Sequence, residues 1–280
     1  MAKGRVKPPS PSPLSRAGEL YAFDRNVQLR FIAGLPLDED SLLATKEGEK
    51  AIPSLGFPAI AGLDEAGRGA LAGPVVVACV HFPKFVPPPA EKGEKEDWIG
   101  LLSYLDDSKR LTPNRREALF ERITELSHWG VGVAPAEEID RYGIVCASSL
   151  AARRAYQSMG DRVALLLLDR GLSLATTLPK NGAPKTALDS PSSSRELSLT
   201  RGDARSFHIA AASVLAKVVR DRMMVALALD PRFPAYGFPK NKGYGTAGHL
   251  AALRRYGPSP IHRRSYRLPL GKPGHTGTGY

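Results

Sequence analysis

The chain of 280 residues contains no run of eighteen apolar residues, so no stretch of it reads as a membrane-spanning helix. It has only two cysteines, Cys79 and Cys146. Both stand among apolar or small residues and read as buried, reduced thiols, which points to a cytoplasmic location. The basic start, MAKGRVKPPSPSPLSR, is followed by no apolar core and makes a poor secretory signal. No internal repeat and no oligomerisation signal is visible, so a monomer without membrane attachment is the default. Acids are scarce at one end. Residues 201–280 hold fourteen Lys and Arg against Asp203, Asp221 and Asp230, and so carry the whole net charge of +11. Charge concentrated in this way suggests a polyanion-binding face.

What is present centres on residues 59–80, AIAGLDEAGRGALAGPVVVACV. A short apolar run with strand character leads into Asp64 and Glu65. Gly67, Arg68, Gly69 and Gly73 follow, and then a second apolar run. Successive strand residues point to opposite faces, but at a strand end, where the backbone bends, both acids can lean towards one cation. Two carboxylates beside a glycine turn suit a hard divalent ion. The glycines also leave backbone N–H groups uncovered for a phosphate or a hydroxyl.

Alternating strands and helices predict an α/β or mixed architecture. Residues 1–18 read as a disordered tail, 19–33 as a helix and 35–56 as a polar link to the main domain. Strands are expected at 60–63, 74–81 and 129–134. Thr112 and Pro113 open a helix to about Ser127 that buries Leu119, Ile123 and Leu126. Two helices follow, 135–142 and 143–159. The VALLLL run at 163–168 suits a strand buried on both faces, with Asp169 at its end. Residues 83–99 and 172–200 read as loops, the second with room for weak strands. Ser206 caps a long, largely buried helix. Asp203 lies just before it, and a short helix starts at Thr246. Four carboxylates brought together would repel unless cations filled the site. Two divalent ions about 4 Å apart can clamp the attacking and leaving oxygens of a phosphodiester.

The run Gly62-Leu-Asp-Glu-Ala-Gly-Arg-Gly69 with Leu71-Ala-Gly-Pro-Val-Val76 resembles the opening motif of ribonuclease HII. Further matches are Asp107-Ser-Lys-Arg-Leu-Thr112, Pro135-Ala-Glu-Glu-Ile-Asp140, Gly202-Asp203, residues 210–221 and Lys242-Gly-Tyr-Gly-Thr246. The resemblance implies the ribonuclease H-like fold, a mixed β-sheet flanked by helices, with a C-terminal helical segment. It sets a catalytic domain at 57–270, which leaves an N-terminal extension at 1–56, partly disordered, and a disordered tail at 271–280. Asp64, Glu65, Asp169 and Asp203 would hold two Mn²⁺ or Mg²⁺ ions. The implied activity is endonucleolytic cleavage of the RNA strand of RNA–DNA hybrids and of single ribonucleotides in duplex DNA, leaving 3′-hydroxyl and 5′-phosphate ends. Gly67, Arg68, Gly69 and Tyr244 would recognise the 2′-hydroxyl, the group that separates RNA from DNA. Ser108 and Lys109 resemble a phosphate-contacting pair, and Lys217 is expected to border the site.

Two rivals remain open at this point: a nucleic-acid-binding protein without catalysis, and a nuclease of this fold acting on DNA alone. The chain also departs from the family pattern. Asp169-Arg170-Gly171 stands where Asp-Gly is usual, so Arg170 is expected to pair with a carboxylate or phosphate or to crowd the metal. Ala70 replaces a common Pro. His208, His249 and His262 read as structural or solvated, with His208, near Asp203, the one worth testing. The N-terminal extension and the two loops have no assigned role.

Overall fold

A computed structural model describes residues 13–43, 58–83, 105–106, 108–160, 162–174, 194–231 and 233–268. Residues 1–12 of the expected N-terminal tail, the expected tail at 271–280, Asp107, and loop residues 84–99 and 175–193 lie outside the described residues.

Strands β1 (Ile60–Ala66), β2 (Val75–His81), β3 (His128–Ala134), β4 (Leu165–Asp169) and β5 (Arg195–Leu199) form one sheet in the order β3-β2-β1-β4-β5. The β1–β2 and β2–β3 pairs are antiparallel, whereas β1–β4 and β4–β5 are parallel. This is the expected mixed sheet. The described end of the 172–200 segment supplies β5, which closes one edge.

Strand alternation decides which side chains meet which helix. Ala61 and Leu63 of β1, with Leu166 and Leu168 of β4, pack into the apolar layer under α4 (Ala136–Met159). Ile60, Leu165 and Leu167 face the other way, with Ile209 of α5 (Phe207–Leu227). Gly62 also faces α5, and there the helix backbone takes the room of a side chain. A Cβ on Gly62 would lie 2.3 Å from the carbonyl carbon of His208. The start of α5 is thereby seated directly on β1.

Local signals end the helices where the sequence says. Ser206 caps α5 by accepting from Ile209 N–H. Thr112 accepts from Arg115 N–H at the head of α3 (Pro113–Leu126), which buries Leu119 and Ile123 and packs Leu126 at its margin. The two helices expected at 135–159 are the two halves of α4, broken at Gly143 (φ 77°, ψ 158°). Helix α1 (Pro13–Ile32) starts earlier than the expected 19 and packs on α5, with Leu20 and Val27 buried. Helix α2 (Glu39–Leu43) follows it. At the C-terminal side α6 (Phe238–Asn241) and α7 (Ala247–Tyr256), the latter capped by Thr246, gather around Phe233, Tyr236 and Phe238. Ala72 and Met224 bury themselves in that cluster and join it to the sheet.

Candidate active site

Asp64 and Asp169 each stand one residue beyond Leu63 and Leu168, the last register pair of parallel strands β1 and β4. Neighbouring strands lie about 4.8 Å apart, so two acids at the same step of this ladder meet at the sheet edge. Both share the alternation of Gly62 and Leu167, the residues that face α5. One oxygen from each of Asp64, Glu65 and Asp169 lies within 4.8 Å of the others. Asp203 arrives from the third direction. It sits on a single 3₁₀ turn, Gly202–Ala204, immediately before α5. Gly202 N–H donates to Asp169 Oδ1 at 2.7 Å, so the turn that carries Asp203 hangs from Asp169. Asp203 stands beside the tight group of three rather than in it, and bonds to Lys109 Nζ at 3.1 Å.

These groups resist ionising together. Burial holds the Asp64 carboxyl well above its usual range, and the negative charges of Glu65, Asp169 and Asp203 push it further. Glu65 is raised by burial and by Asp169, against the pull of Arg68. Asp169 is raised by burial and Asp203, against the Gly202 N–H bond. Glu65 Oε2 is buried and accepts no hydrogen bond among the described residues. A buried carboxylate oxygen left in this state is costly. An all-oxygen donor set of this kind matches a hard divalent cation, so the residues present fit one.

Two side-chain cations touch the group. Arg68 reaches Glu65 Oε1 at 3.4 Å, and Lys109 holds Asp203. The Lys109 side chain is otherwise exposed, at 76%, whereas Ser108 is buried and accepts from Ser213 Oγ at 2.7 Å. Of this expected pair only Lys109 faces outward. Arg170 is exposed and pairs with no carboxylate among the described residues. The residue after it matters more: Gly171 (φ 99°) carries the Arg68 guanidinium where a Cβ would stand.

The residues that follow the glycine turn adjoin the segment that carries Tyr244. Leu71 and Ala72 N–H groups both donate to Gly243 O. Open space lies where a Gly69 Cβ would project. Two buried arginines underlie this junction, and sequence reasoning missed their part. Arg263 donates to the carbonyls of Arg68 (2.8 Å) and Gly73 (3.1 Å), and Tyr266 Oη also donates to Arg68 O. Arg220 donates to the carbonyls of Pro74, Ala72 and Lys242. Backbone carbonyls carry no sequence signature, so nothing in the residue pattern pointed to these bonds.

The histidines take the structural alternative of the two expected, buried and hydrogen-bonded. His208 is buried against α1. Its ring Nδ1 and backbone N–H both meet Asp24 Oδ2 of α1, at 2.8 and 3.0 Å, in a fully buried contact. His249 and His262 are neither solvated nor isolated. His249 Nδ1 meets Tyr244 O at 2.9 Å, and the two Nε2 atoms lie 3.0 Å apart. Ser259 N–H donates to His262 Nδ1. Only two neutral rings satisfy this chain: His262 Nε2–H donates to His249, which donates onward to Tyr244 O. Of the cysteines, Cys79 is buried and its thiol is pushed up by burial, while Cys146 is only half-buried.

Comparison with known proteins agrees with this geometry. The family model described as Ribonuclease HII matches residues 61–268. Ribonuclease HII of Roseiflexus castenholzii is 44% identical over 224 residues, 80% of this chain and 88% of that protein. Ribonuclease HII of Geobacillus thermodenitrificans is 43% identical over 219 residues, 78% of this chain and 72% of that one. Among solved structures, RNase HII in a PCNA complex from Archaeoglobus fulgidus aligns with a TM-score of 0.55 at 23% identity, covering 76% of this chain and 98% of that one. Ribonuclease H2 from Pyrococcus horikoshii aligns at 0.52 and 23% identity, covering 75% and 95%. At that identity the two structures speak for the fold.

Proposed function

The chain belongs to the ribonuclease HII family and is an endoribonuclease with ribonuclease H activity; from that premise we propose that it cuts both RNA–DNA hybrids and single ribonucleotides embedded in duplex DNA. The observation that carries the proposal is the group of carboxylates at the β1–β4 edge, with its orphaned Glu65 oxygen, beside a glycine turn whose following residues bond Gly243, next to Tyr244. Asp64, Glu65, Asp169 and Asp203 would hold two Mg²⁺ or Mn²⁺ ions. When bound, such ions supply positive charge to the attacking and leaving oxygens of the phosphodiester.

The chain's own residues do the rest. The four acids orient the reacting phosphate by fixing where positive charge can sit. The turn at Gly67, Arg68 and Gly69 meets the 2′-hydroxyl through its backbone, and the Tyr244 ring stacks on the adjacent sugar. A ribonucleotide is thereby told from a deoxyribonucleotide by one oxygen. Lys109, exposed beside Asp203, would meet a neighbouring phosphate. Ser108, buried at the foot of the same turn, orients it. Water adds to phosphorus, the bond to O3′ breaks, and O3′ takes a proton, which leaves a 3′-hydroxyl and a 5′-phosphate. We take residues 57–270 as the catalytic domain of a cytoplasmic monomer. No described helix is long and apolar enough to cross a membrane.

A duplex carrying one ribonucleotide, incubated with and without Mg²⁺ or Mn²⁺, tests the proposal. The expected result is a metal-dependent cut at the ribonucleotide and none in an all-DNA control. A ribonucleotide duplex left intact with every metal, or an all-DNA duplex cut equally well, would refute it.

A further inference from the structure

Arg220 is fully buried, yet no carboxylate pairs with it among the described residues. Its hydrogen bonds go to backbone carbonyls: Nε donates to Pro74 O at 3.0 Å, one terminal nitrogen to Ala72 O at 3.2 Å and the other to Lys242 O at 2.9 Å. The first two belong to the segment that follows the glycine turn. The third belongs to the segment that carries Tyr244. Two further groups lie against the guanidinium. The Tyr244 ring lies against it, its centroid 5.1 Å from Cζ. Gly67 (φ 94°) lies against Nε, so closely that a Cβ there would fall 1.9 Å away. One planar cation therefore touches both elements that the functional reading assigns to the 2′-hydroxyl and its sugar.

We propose that Arg220 is a positioning residue that sets the distance between the Gly67 turn and the Tyr244 ring, and through them the rate of cutting at a lone ribonucleotide. The inference rests on the substrate reading given above. A guanidinium suits this role because it is flat and rigid, with donors diverging in one plane. It can stack on a ring and bond three carbonyls at once. Lysine offers a point charge and no plane. A long hybrid presents a 2′-hydroxyl at every step of its RNA strand and can settle in several registers. A single ribonucleotide has one register, so loosening the two reading elements harms it more.

The test is steady-state kinetics of the full chain on a one-ribonucleotide duplex and on an RNA–DNA hybrid. The proteins compared are wild type, Arg220→Lys, Tyr244→Ala and the double variant, each checked for a cooperative melt. Displacement of a positioned group by about 1 Å costs up to about 100-fold, so Arg220→Lys is expected to lower kcat on the one-ribonucleotide duplex by about 10- to 100-fold. The loss on the hybrid should be smaller, and KM should hardly move. In the Tyr244→Ala background the same change should cost little, because residues acting through a common contact are not additive. Should Arg220→Lys fail to melt cooperatively, Gly67→Ala presses a methyl group onto the same guanidinium and should give the same skewed loss. Equal losses on both substrates, or full additivity with Tyr244→Ala, would overturn the proposal. A wild type unable to cut the one-ribonucleotide duplex would instead overturn the substrate reading, before any variant is compared.

Discussion

Asp64→Asn separates what the acidic group does for catalysis from what it costs the fold. The three closest carboxylates have oxygens within 4.8 Å, and two full charges at that distance repel by about 3.5 kcal/mol at an effective dielectric of about 20. Burial and this mutual repulsion hold the Asp64 and Glu65 carboxyls above their usual range. The substitution keeps the shape of the side chain. Asn Oδ1 can still accept from Glu65 N–H, as Asp64 Oδ1 does at 2.8 Å, and the new amide has the oxygens of Glu65 and Asp169 in reach. Without divalent ions the variant is therefore expected to gain about 1–2 kcal/mol over wild type. That corresponds to a melting temperature roughly 2–8 °C higher. With Mg²⁺ or Mn²⁺ the order reverses, because wild type gains from binding and the variant has lost a ligand. Cleavage should fall by about 10²–10³ or more, in line with loss of a central electrostatic element. Thermal melts in chelator and in each metal, run beside the cleavage assay, read all three effects. A variant that melts lower than wild type in chelator and gains equally from added Mn²⁺ would show that these acids are not a cation site held under mutual repulsion.

Gly62→Ala would place a methyl group 2.3 Å from the His208 carbonyl carbon and 2.4 Å from Ile209 N, both main-chain atoms that cannot swing aside. A loss of about 3 kcal/mol or more is expected in urea unfolding, with activity falling as α5 and Asp203 shift; a silent substitution would mean that α5 is not seated on β1 as described. Burial and the neighbouring His249 depress the His262 ring to about 4, and burial lowers His249 as well. The unfolded chain takes up these protons near its ordinary value of about 6.5, and the folded chain refuses them. Stability from this pair is thus complete above about 6.5 and is lost as pH falls through about 4. Melting temperature against pH should slope in that window for wild type and slope less for His262→Gln; equal slopes would refute the neutral ring pair.

Much of the fold was legible because its signals are local. The caps at Thr112, Ser206 and Thr246 each bond within three residues, and the Gly143 break follows from a residue that tolerates positive φ. Strand β5, RELSL, was legible only as a weak strand in a loop, since five alternating polar and apolar residues after a Ser- and Pro-rich stretch look like one. The apolar runs that end in Asp64 and Asp169 could be read as strands, but not as neighbours. Their meeting depends on parallel pairing between segments about a hundred residues apart, which only the resemblance to a known family supplied. What stayed hidden was long-range and polar. Asp24 and His208 are 184 residues apart, and an acid inside an amphipathic N-terminal helix looks like any surface charge. The parts played by Arg220 and Arg263 were hidden too, because their partners are peptide carbonyls.

The shared register of β1 and β4 makes the peptide backbone a ruler for the chemistry. Leu63 and Leu168 pair across the ladder, so the interval between the acids that follow is set by main-chain hydrogen bonds, which no apolar substitution in the core alters. Repacking beneath the sheet should leave that interval intact. Inserting one residue into β1 ahead of Asp64 would turn the carboxylate to the opposite side of the sheet, however well the rest of the molecule folded.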